Sequence, residues 1–571
     1  MAAKLDIEAI KKEKDGLDVI HDIRRYASEG FATIDPKDFP LFRWYGLYQQ
    51  RPNEGHFMLR VKVPGGRLST VQLREIGQIA IDHGRDLADI TTRQTFQYHW
   101  LTIDKVPEVF ERLQAVGIIT AGACGDITRN IVSCPVAGMD ADEILDAQPL
   151  VEEMTTFMST NKDFSNFPRK YKVSISGCGI HCAQPEINCL SFYGARRTAA
   201  DGNVEAGFGL MVGGGLSTRP FFGSDMHTFI RPDQVKRTMV AVSEIYRDAL
   251  ALRQDRGRAR LKFLLHDPKI GIGAEKFREM LQEKLDFQLP ESGPYPFPDQ
   301  AECDHLGIRR QKQDGLWYVG VGVRAGRLTG DKLKRIADLA DEFSVEKQIR
   351  TTCKQNFIVP HVPEDKLEAL KARLTELGLD WKPSVFKRAL VSCTGTEFCN
   401  LAVTETKEVG RRVSRELEAR FPDATRNLRV HFSGCPNNCG QNAIADIGLR
   451  GGKTKGADGV MVEAFDILVG GGTGAQRAFG EVCTKKFPSD TIATAIGNLY
   501  QGFIDWTADD TRTFYDYVNS HAPEQLDAVA RGLPVPTAEE IAAKAAAAAE
   551  AAAARPVTVV TNAAAPAPEV D

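Results

Sequence analysis

Apolar and polar positions follow two rhythms along this chain, and the rhythms succeed each other in a fixed order. HFMLRVKVP (56–64) and LWYVGVGVR (316–324) alternate as half-buried strands do. TVQLREIGQIAIDHG (70–84) and GDKLKRIADLADEF (330–343) then place apolar residues at helical spacing. A second strand meets the polar TTR or TTCK segment, as in FQYHWLTI (96–103) and NFIVPHV (356–362). A further helix, VPEVFERLQAVG (106–117) or PEDKLEALKARLTELG (363–378), closes each unit. This β-α-β-β-α-β-like order predicts a small split-βαβ sandwich, written twice. Longer α/β regions, about 145–300 and 386–530, follow each sandwich.

The repetition extends to short motifs. VPGGRLST (63–70) recurs as RAGRLTG (324–330), an offset of 260 from Gly66 to Gly326. TTRQTF (91–96) recurs as TTCKQNF (351–357), and VSCPVAG (132–138) as VSCTGTE (391–397). ISGCGIHC (175–182) recurs as FSGCPNNC (432–439), and MVGGGLS (211–217) as LVGGGTG (468–474), both at an offset of 257. Ordered matches at nearly constant offset are the mark of an internal duplication. The expected fold is α+β, with two related halves packed about a pseudo-twofold axis. The expected division is an N-terminal arm (1–40), half-domains at 41–144 and 301–385, larger α/β domains at 145–300 and 386–533, and a tail (534–571). In that tail IAAKAAAAAEAAAARP reads as helix and TNAAAPAPEVD as a disordered end.

The 571 residues, 43% hydrophobic and 26% charged, carry a net charge of -4, with no basic stripe for nucleic acid. MAAKLDIEAIKKEKDG lacks the apolar core of a secretory signal, and no run of apolar residues is long enough to span a membrane. Twelve cysteines in such a chain point to reduced thiols and metal ligation, hence to the cytoplasm or an equivalent reducing space.

Four of those cysteines carry the strongest chemical signal. Cys393 and Cys399 form C-x5-C, and after a gap of 35 residues Cys435 and Cys439 form C-x3-C. Thiolates grouped two and two bind a soft metal or an iron–sulfur cluster, with a disulfide pair or buried apolar cysteines as the alternatives. Zinc ribbons favour C-x2-C knuckles, so these wider arms suit a cubane better than one zinc ion. In the first half Cys134, Cys178 and Cys182 stand where Cys393, Cys435 and Cys439 stand, with Asp140 in the fourth place. They read as relic thiols around a pseudo-site, the alternative being a second cluster with Asp140 as an oxygen ligand.

TTRQ (91–94), GDITRN (125–130), PRKYK (168–172), the two cysteine arms and the repeat together cover about residues 40–530. In these features the chain resembles the sirohaem-containing nitrite and sulfite reductases. The resemblance implies ferredoxin-like half-domains and two larger α/β domains that bind sirohaem and cluster. It also implies a 4Fe-4S cluster on Cys393, Cys399, Cys435 and Cys439, with Cys439 additionally ligating the sirohaem iron. Mapped by motif, Arg60, Arg129, Lys170 and Lys172 would be the catalytic pocket for a small oxyanion. Lys62, Arg93, Lys354, Gln355 and Asn437 would be cofactor-binding, and Gly213, Gly214, Gly215 and the Gly470–Gly472 triplet would let backbone approach the cofactor. A solvated cation or a loop glycine is the plainer reading of each, but RVK in an apolar strand is an unusual place for solvated charge. No G-x-G-x-x-G fingerprint is present, so electrons would come from ferredoxin or a similar one-electron donor.

The implied activity is six-electron reduction of nitrite to ammonia, with sulfite to sulfide as the alternative on the same scaffold. TGTEFC and GCPNNCGQ lean toward nitrite. Lys172 leans toward sulfite, as does the pair Tyr48 and Cys124, because some ferredoxin-type sulfite reductases carry a tyrosine–cysteine link at matching motif positions. His181 reads as a structural histidine. A more distant alternative is a non-catalytic iron–sulfur carrier or a sirohaem sensor, against which the four pocket cations argue.

Overall fold

The structure is a computed structural model that describes residues 5–199, 201–292, 298 and 303–553. The first half supplies β1 (Leu47–Gln49), β2 (His56–Arg60), β3 (Arg67–Ser69), β4 (Ala88–Ile90) and β5 (Phe96–Thr102). Its larger domain adds β6 (Val173–Ser176), β7 (Leu190–Thr198), β8 (Val204–Val212) and β9 (Ser224–Ile230). The second half repeats the set as β10 (Gly307–Arg310), β11 (Leu316–Val321), β12 (Arg327–Leu328), β13 (Gln348–Thr351) and β14 (Phe357–Pro363). β15 (Leu390–Ser392), β16 (Val430–Ser433), β17 (Ile447–Lys455), β18 (Met461–Val469) and β19 (Glu481–Pro488) complete it.

Each small sheet borrows a strand from the other half. The orders are β1-β2-β5-β4-β12 and β10-β11-β14-β13-β3, so β12 pairs with β4 and β3 with β13. The borrowing begins at the VPGGR and VRAGR turns. Gly66 and Gly326 sit at φ 79° and 69°, and an added Cβ would come within 2.3 Å of the Thr351 carbonyl oxygen and 2.5 Å of the Ile90 carbonyl oxygen. Only glycine serves both demands, a left-handed φ and a backbone crossing close to the other sheet. Directly after β3 the helix Thr70–His83 begins with a capping box, Ser69 Oγ accepting from Gln72 N at 3.2 Å and Gln72 Oε1 from Ser69 N at 3.0 Å. It packs against Gly330–Phe343, its counterpart, and one apolar core runs through both sheets. The duplication is therefore a single interlocked unit at this level.

The pseudo-twofold axis is visible in residues that meet their own repeats. Gln184 and Gln441, 257 apart, exchange side-chain amide hydrogen bonds at 2.9 and 2.6 Å. Phe222 and Phe479, also 257 apart, stack with centroids 3.9 Å apart and an interplanar angle of 3°. The larger sheets run β6-β7-β8-β9 and β15-β16-β17-β18-β19, parallel at the start and antiparallel thereafter. The alternating runs and the helices fall where the sequence rhythm predicts them, and the Ala-rich stretch forms a helix, Ala538–Ala553. The end of the tail, from 554, lies outside the described residues.

Candidate functional site

Sheet topology brings the cysteine arms together. Cys393 follows β15 directly, and β16, its parallel neighbour, delivers Cys435 and Cys439 at the same sheet end. Gln355 fixes the first arm, because Ser392 N donates to its Oε1 at 2.8 Å while its Nε2 donates to the carbonyls of Ile90 and Ser392. Gly434 N donates to Cys393 Sγ at 3.2 Å, and Asn437 hydrogen-bonds Cys435. Burial pushes the Cys393 thiol up to about 12 and raises Cys399 and Cys435, whereas hydrogen bonds from neighbouring backbone work in the opposite direction. Among the described residues no three of these four thiols lie within 4.8 Å of one another. They surround a space wider than one ion's ligand sphere.

The same four thiols line a cavity of about 420 Å³ whose opposite wall belongs to the first half. That wall presents Arg43, Arg60, Arg129, Arg169, Lys170 and Arg256, together with Tyr48 and Gln97. Arg60 leaves the end of β2, its Nη1 2.9 Å from Cys124 Sγ and its Nη2 2.9 Å from Gln97 Oε1. Arg129 is tied to the Gly125 carbonyl oxygen at 2.8 Å, and among the described residues no carboxylate pairs with it. Lys170 has no hydrogen-bond or ion-pair partner among the described residues; burial, then Arg260, brings its pKa down to about 7. Lys172 has none either, and lies well below the ordinary lysine range through burial and the charges of Arg93, Arg260 and Lys170.

Tyr48 and Cys124 are in hydrogen-bond contact. Burial alone would raise the Cys124 thiol, but Arg60 and Arg129, with the hydrogen bonds from Tyr48 and Arg60, bring it below its ordinary value. The same burial raises the Tyr48 hydroxyl. A phenol beside a thiol whose thiolate form is favoured by two arginines is an activated pair in a dry setting.

The residues expected to face cofactor carboxylates divide. Arg93 is half-buried and outside the cavity lining, donating to Asn188 Oδ1 at 2.9 Å and to the Asn130 carbonyl at 2.6 Å, while its Nε has no partner. Lys62 instead points into the first half, with Nζ 2.6 Å from Ser159 Oγ. Gln355 has both amide hydrogens committed to backbone, so it positions a cysteine arm and has no donor left for a carboxylate. The half-buried Lys354 sits in the TTCK turn, its backbone N–H on Thr352 Oγ1. At Gly213, Gly214 and Gly215 the space of a Cβ is taken by Leu265, the Glu186 carbonyl and the Arg260 guanidinium, and Gly471 likewise meets the carbonyls of Ala443 and Ala445. These glycines admit the protein's own chain. His181 is structural: its Nδ1 lies 2.5 Å from Glu186 Oε1, which also accepts the Gly474 N–H from the other half.

Arg260 was not singled out in the sequence. It is 5% exposed, its Nε has no partner, and it lies against Gly215. The signal is present in RGRARLKF (256–263), where cations alternate with small or apolar residues and Arg260 and Lys262 turn inward.

These features match the expected cofactors. Four thiols around a wide space fit a 4Fe-4S cubane, and unpaired ammoniums with two buried guanidinium Nε atoms lacking partners fit a polycarboxylate macrocycle and an anionic substrate.

Known proteins agree with this layout. Residues 124–289 and 385–513 match the family model "Nitrite and sulphite reductase 4Fe-4S domain", and 48–116 and 309–377 match "Nitrite/Sulfite reductase ferredoxin-like half domain". The assimilatory ferredoxin-dependent nitrite reductase of Haloferax mediterranei is 38% identical over 91% of this chain and 92% of its own. Sulfite reductase [ferredoxin] 2 of Mycolicibacterium paratuberculosis is 37% identical over 85% of this chain and 89% of its own. The solved structure of the NirA protein of Mycobacterium tuberculosis superposes with a TM-score of 0.86 at 36% identity, covering 91% of this chain and 97% of that one.

Proposed function

The chain belongs to the nitrite and sulfite reductase family, and on that premise we propose that it reduces nitrite to ammonia with electrons from a ferredoxin. The observation that carries this reading is the cavity itself, which joins four cluster-spaced thiols to a wall where Arg169 and Arg256 pair with Asp126 while Arg60, Arg129 and Lys170 have no carboxylate partner among the described residues. A carrier or sensor has no use for such a wall. When bound, the sirohaem and the 4Fe-4S cluster supply an open iron and the electrons, and Cys439 is the thiol that would link them.

The protein's own groups do the rest. Arg60 and Arg129 hold the oxyanion by paired N–H donors and keep its charge in a dry site. Lys170, with a pKa of about 7, holds a proton at Nζ and can release it near neutral pH as oxygen leaves as water. Lys172, Arg93 and Arg260 lie close enough to act on one another's charge and would supply the positive charge that holds the cofactor's carboxylates. Nitrite as substrate rests on the overall likeness to the Haloferax enzyme. Sulfite is the second reading, favoured by Lys172 and by the Tyr48–Cys124 contact. We also propose that Tyr48 and Cys124 become joined by a thioether, a ring C–H and the S–H giving way to a C–S bond while two electrons and two protons pass to dioxygen, a two-hydrogen loss that intact mass would register. Full alkylation of Cys124 after denaturation would exclude the link.

No helix among the described residues is long and apolar enough to cross a membrane. The reading is tested by catalytic efficiency on nitrite and on sulfite with reduced ferredoxin. Turnover of neither by fully loaded protein would end it, and a strong preference for sulfite would reverse the order of the two substrates.

A further inference from the structure

The first half keeps its own copy of the cysteine arms, and that copy has a different shape. We propose that Cys134, Asp140 and Cys178 hold a single thiophilic divalent cation of the zinc class, bracing the first large domain against the second ferredoxin-like sheet. This site goes beyond the reductase reading and does not rest on it.

Geometry favours one ion over a cube. The two sulfurs and a carboxylate oxygen all lie within 4.8 Å of one another, a condition that no three of Cys393, Cys399, Cys435 and Cys439 meet. Tetrahedral ligands at about 2.0–2.3 Å from one zinc stand roughly 3.3–3.8 Å apart, so small side-chain rotations close the set. The carboxylate at the place of Cys399 is a ligand that zinc accepts readily. Both thiols are buried and Asp140 is half-buried, so the trio is shielded on one side and open to water on the other. A water would take the fourth position.

Hydrogen bonding points the same way. Cys178 Sγ accepts the Ile180 N–H at 3.3 Å, as Cys393 Sγ accepts the Gly434 N–H at 3.2 Å. Such bonds favour the thiolate, the form that binds metal. Cys182 stands outside the trio, its Sγ 3.2 Å from His305 Nε2 and accepting the Cys303 N–H at 3.3 Å.

The placement explains what the ion would do. The 134–140 loop packs in one apolar cluster with Tyr318 and Ile358 of the second small sheet. It is joined there by Lys312, whose N–H meets the Met139 carbonyl at 2.8 Å and whose Nζ lies 2.6 Å from Glu143. A metal tying Cys134 to Cys178 would fix this loop to the chain after β6. Binding releases the two thiol protons to solvent and changes no oxidation state.

The test uses holoenzyme incubated with zinc chloride, desalted and analysed for metals. One zinc per chain is expected in the wild type and none in Asp140→Asn or Cys178→Ser, with iron content and visible spectrum unchanged. Chelation should lower the thermal midpoint of the wild type and leave that of Asp140→Asn where it is, which keeps a readout if Cys178→Ser does not fold. The proposal is overturned by wild type that retains no zinc, or by zinc retained equally in the variants. Iron in excess of one cluster and one sirohaem would overturn it too, as would a Cys134–Cys178 disulfide in the purified enzyme.

Discussion

The two halves share the order of their small sheets but have opposite electrostatic habits. In the second half the repeat positions of Arg129 and Lys172 are occupied by Arg388 and Arg429, and both are neutralised: Arg388 Nη2 lies 2.6 Å from Asp304 and Arg429 Nη2 2.7 Å from Asp446. Their first-half counterparts pair with no carboxylate among the described residues. At the position of Arg60 the second half has Gly320, and at that of Lys62 it has Gly322. The thiols divide the other way, four around an open space in the second half and a closed trio with Asp140 in the first. One fold was duplicated, and the copies then diverged, one presenting four thiols to the cavity and the other Arg60, Arg129 and Lys170. The cavity exists because the pseudo-axis sets the two specialisations face to face.

The sharpest way to break this comparison is to remove a thiol from each half. Cys435→Ser should abolish the cluster's electron paramagnetic resonance signal and bring activity to background, whereas Cys178→Ser should leave both in place. Next comes the cationic wall. Arg129→Ala, with cofactors retained, should lower kcat/KM roughly 10²–10³-fold, the usual cost of deleting one donor to developing negative charge. Arg388→Ala, at the equivalent position, should leave kcat/KM within about twofold and lower only the thermal midpoint.

Proton supply distinguishes Lys170 from a purely electrostatic cation. It must be protonated to donate, so raising the pH through its pKa removes the donor and the rate falls on the alkaline side. A bound anion favours the ammonium, which places that limb at or above about pH 7. Lys170→Arg should shift it upward and slow the reaction, measured as kcat against pH. Lys172→Asn should have a smaller effect: loss of this cation behind Lys170 is worth about 1–2 kcal/mol, or roughly 5–30-fold in nitrite over sulfite preference.

The axis itself gives the smallest effect. Gln184→Leu leaves the Gln441 amide buried without its partner and should cost about 1–3 kcal/mol, read from urea unfolding. Adding Gln441→Leu should recover part of that loss.

Much of this architecture was legible in the repeat. The 257-residue offset predicted that the halves meet about an axis, and Gln184–Gln441 and Phe222–Phe479 lie on it. Strand exchange was not legible, because the VPGGR turn looks the same whether its strand pairs at home or across the axis. Side-chain direction was the other blind spot. Lys62 and Gln355 sit in motifs that face the site, but a buried polar side chain takes the nearest strong partner, here Ser159 and strand carbonyls. Arg260 escaped notice for the converse reason, since its run of cations reads as a solvated face until burial is known.

A reductase of this design requires a redox centre in the second half that faces cations from the first. The most direct measurement is the iron and sirohaem content of purified, loaded Cys439→Ser beside the wild type. One 4Fe-4S cluster and one sirohaem per wild-type chain, with their coupling lost when Cys439 is replaced, is the result expected. Zinc or no metal on those four thiols, or a cluster and sirohaem untouched by the substitution, would contradict it.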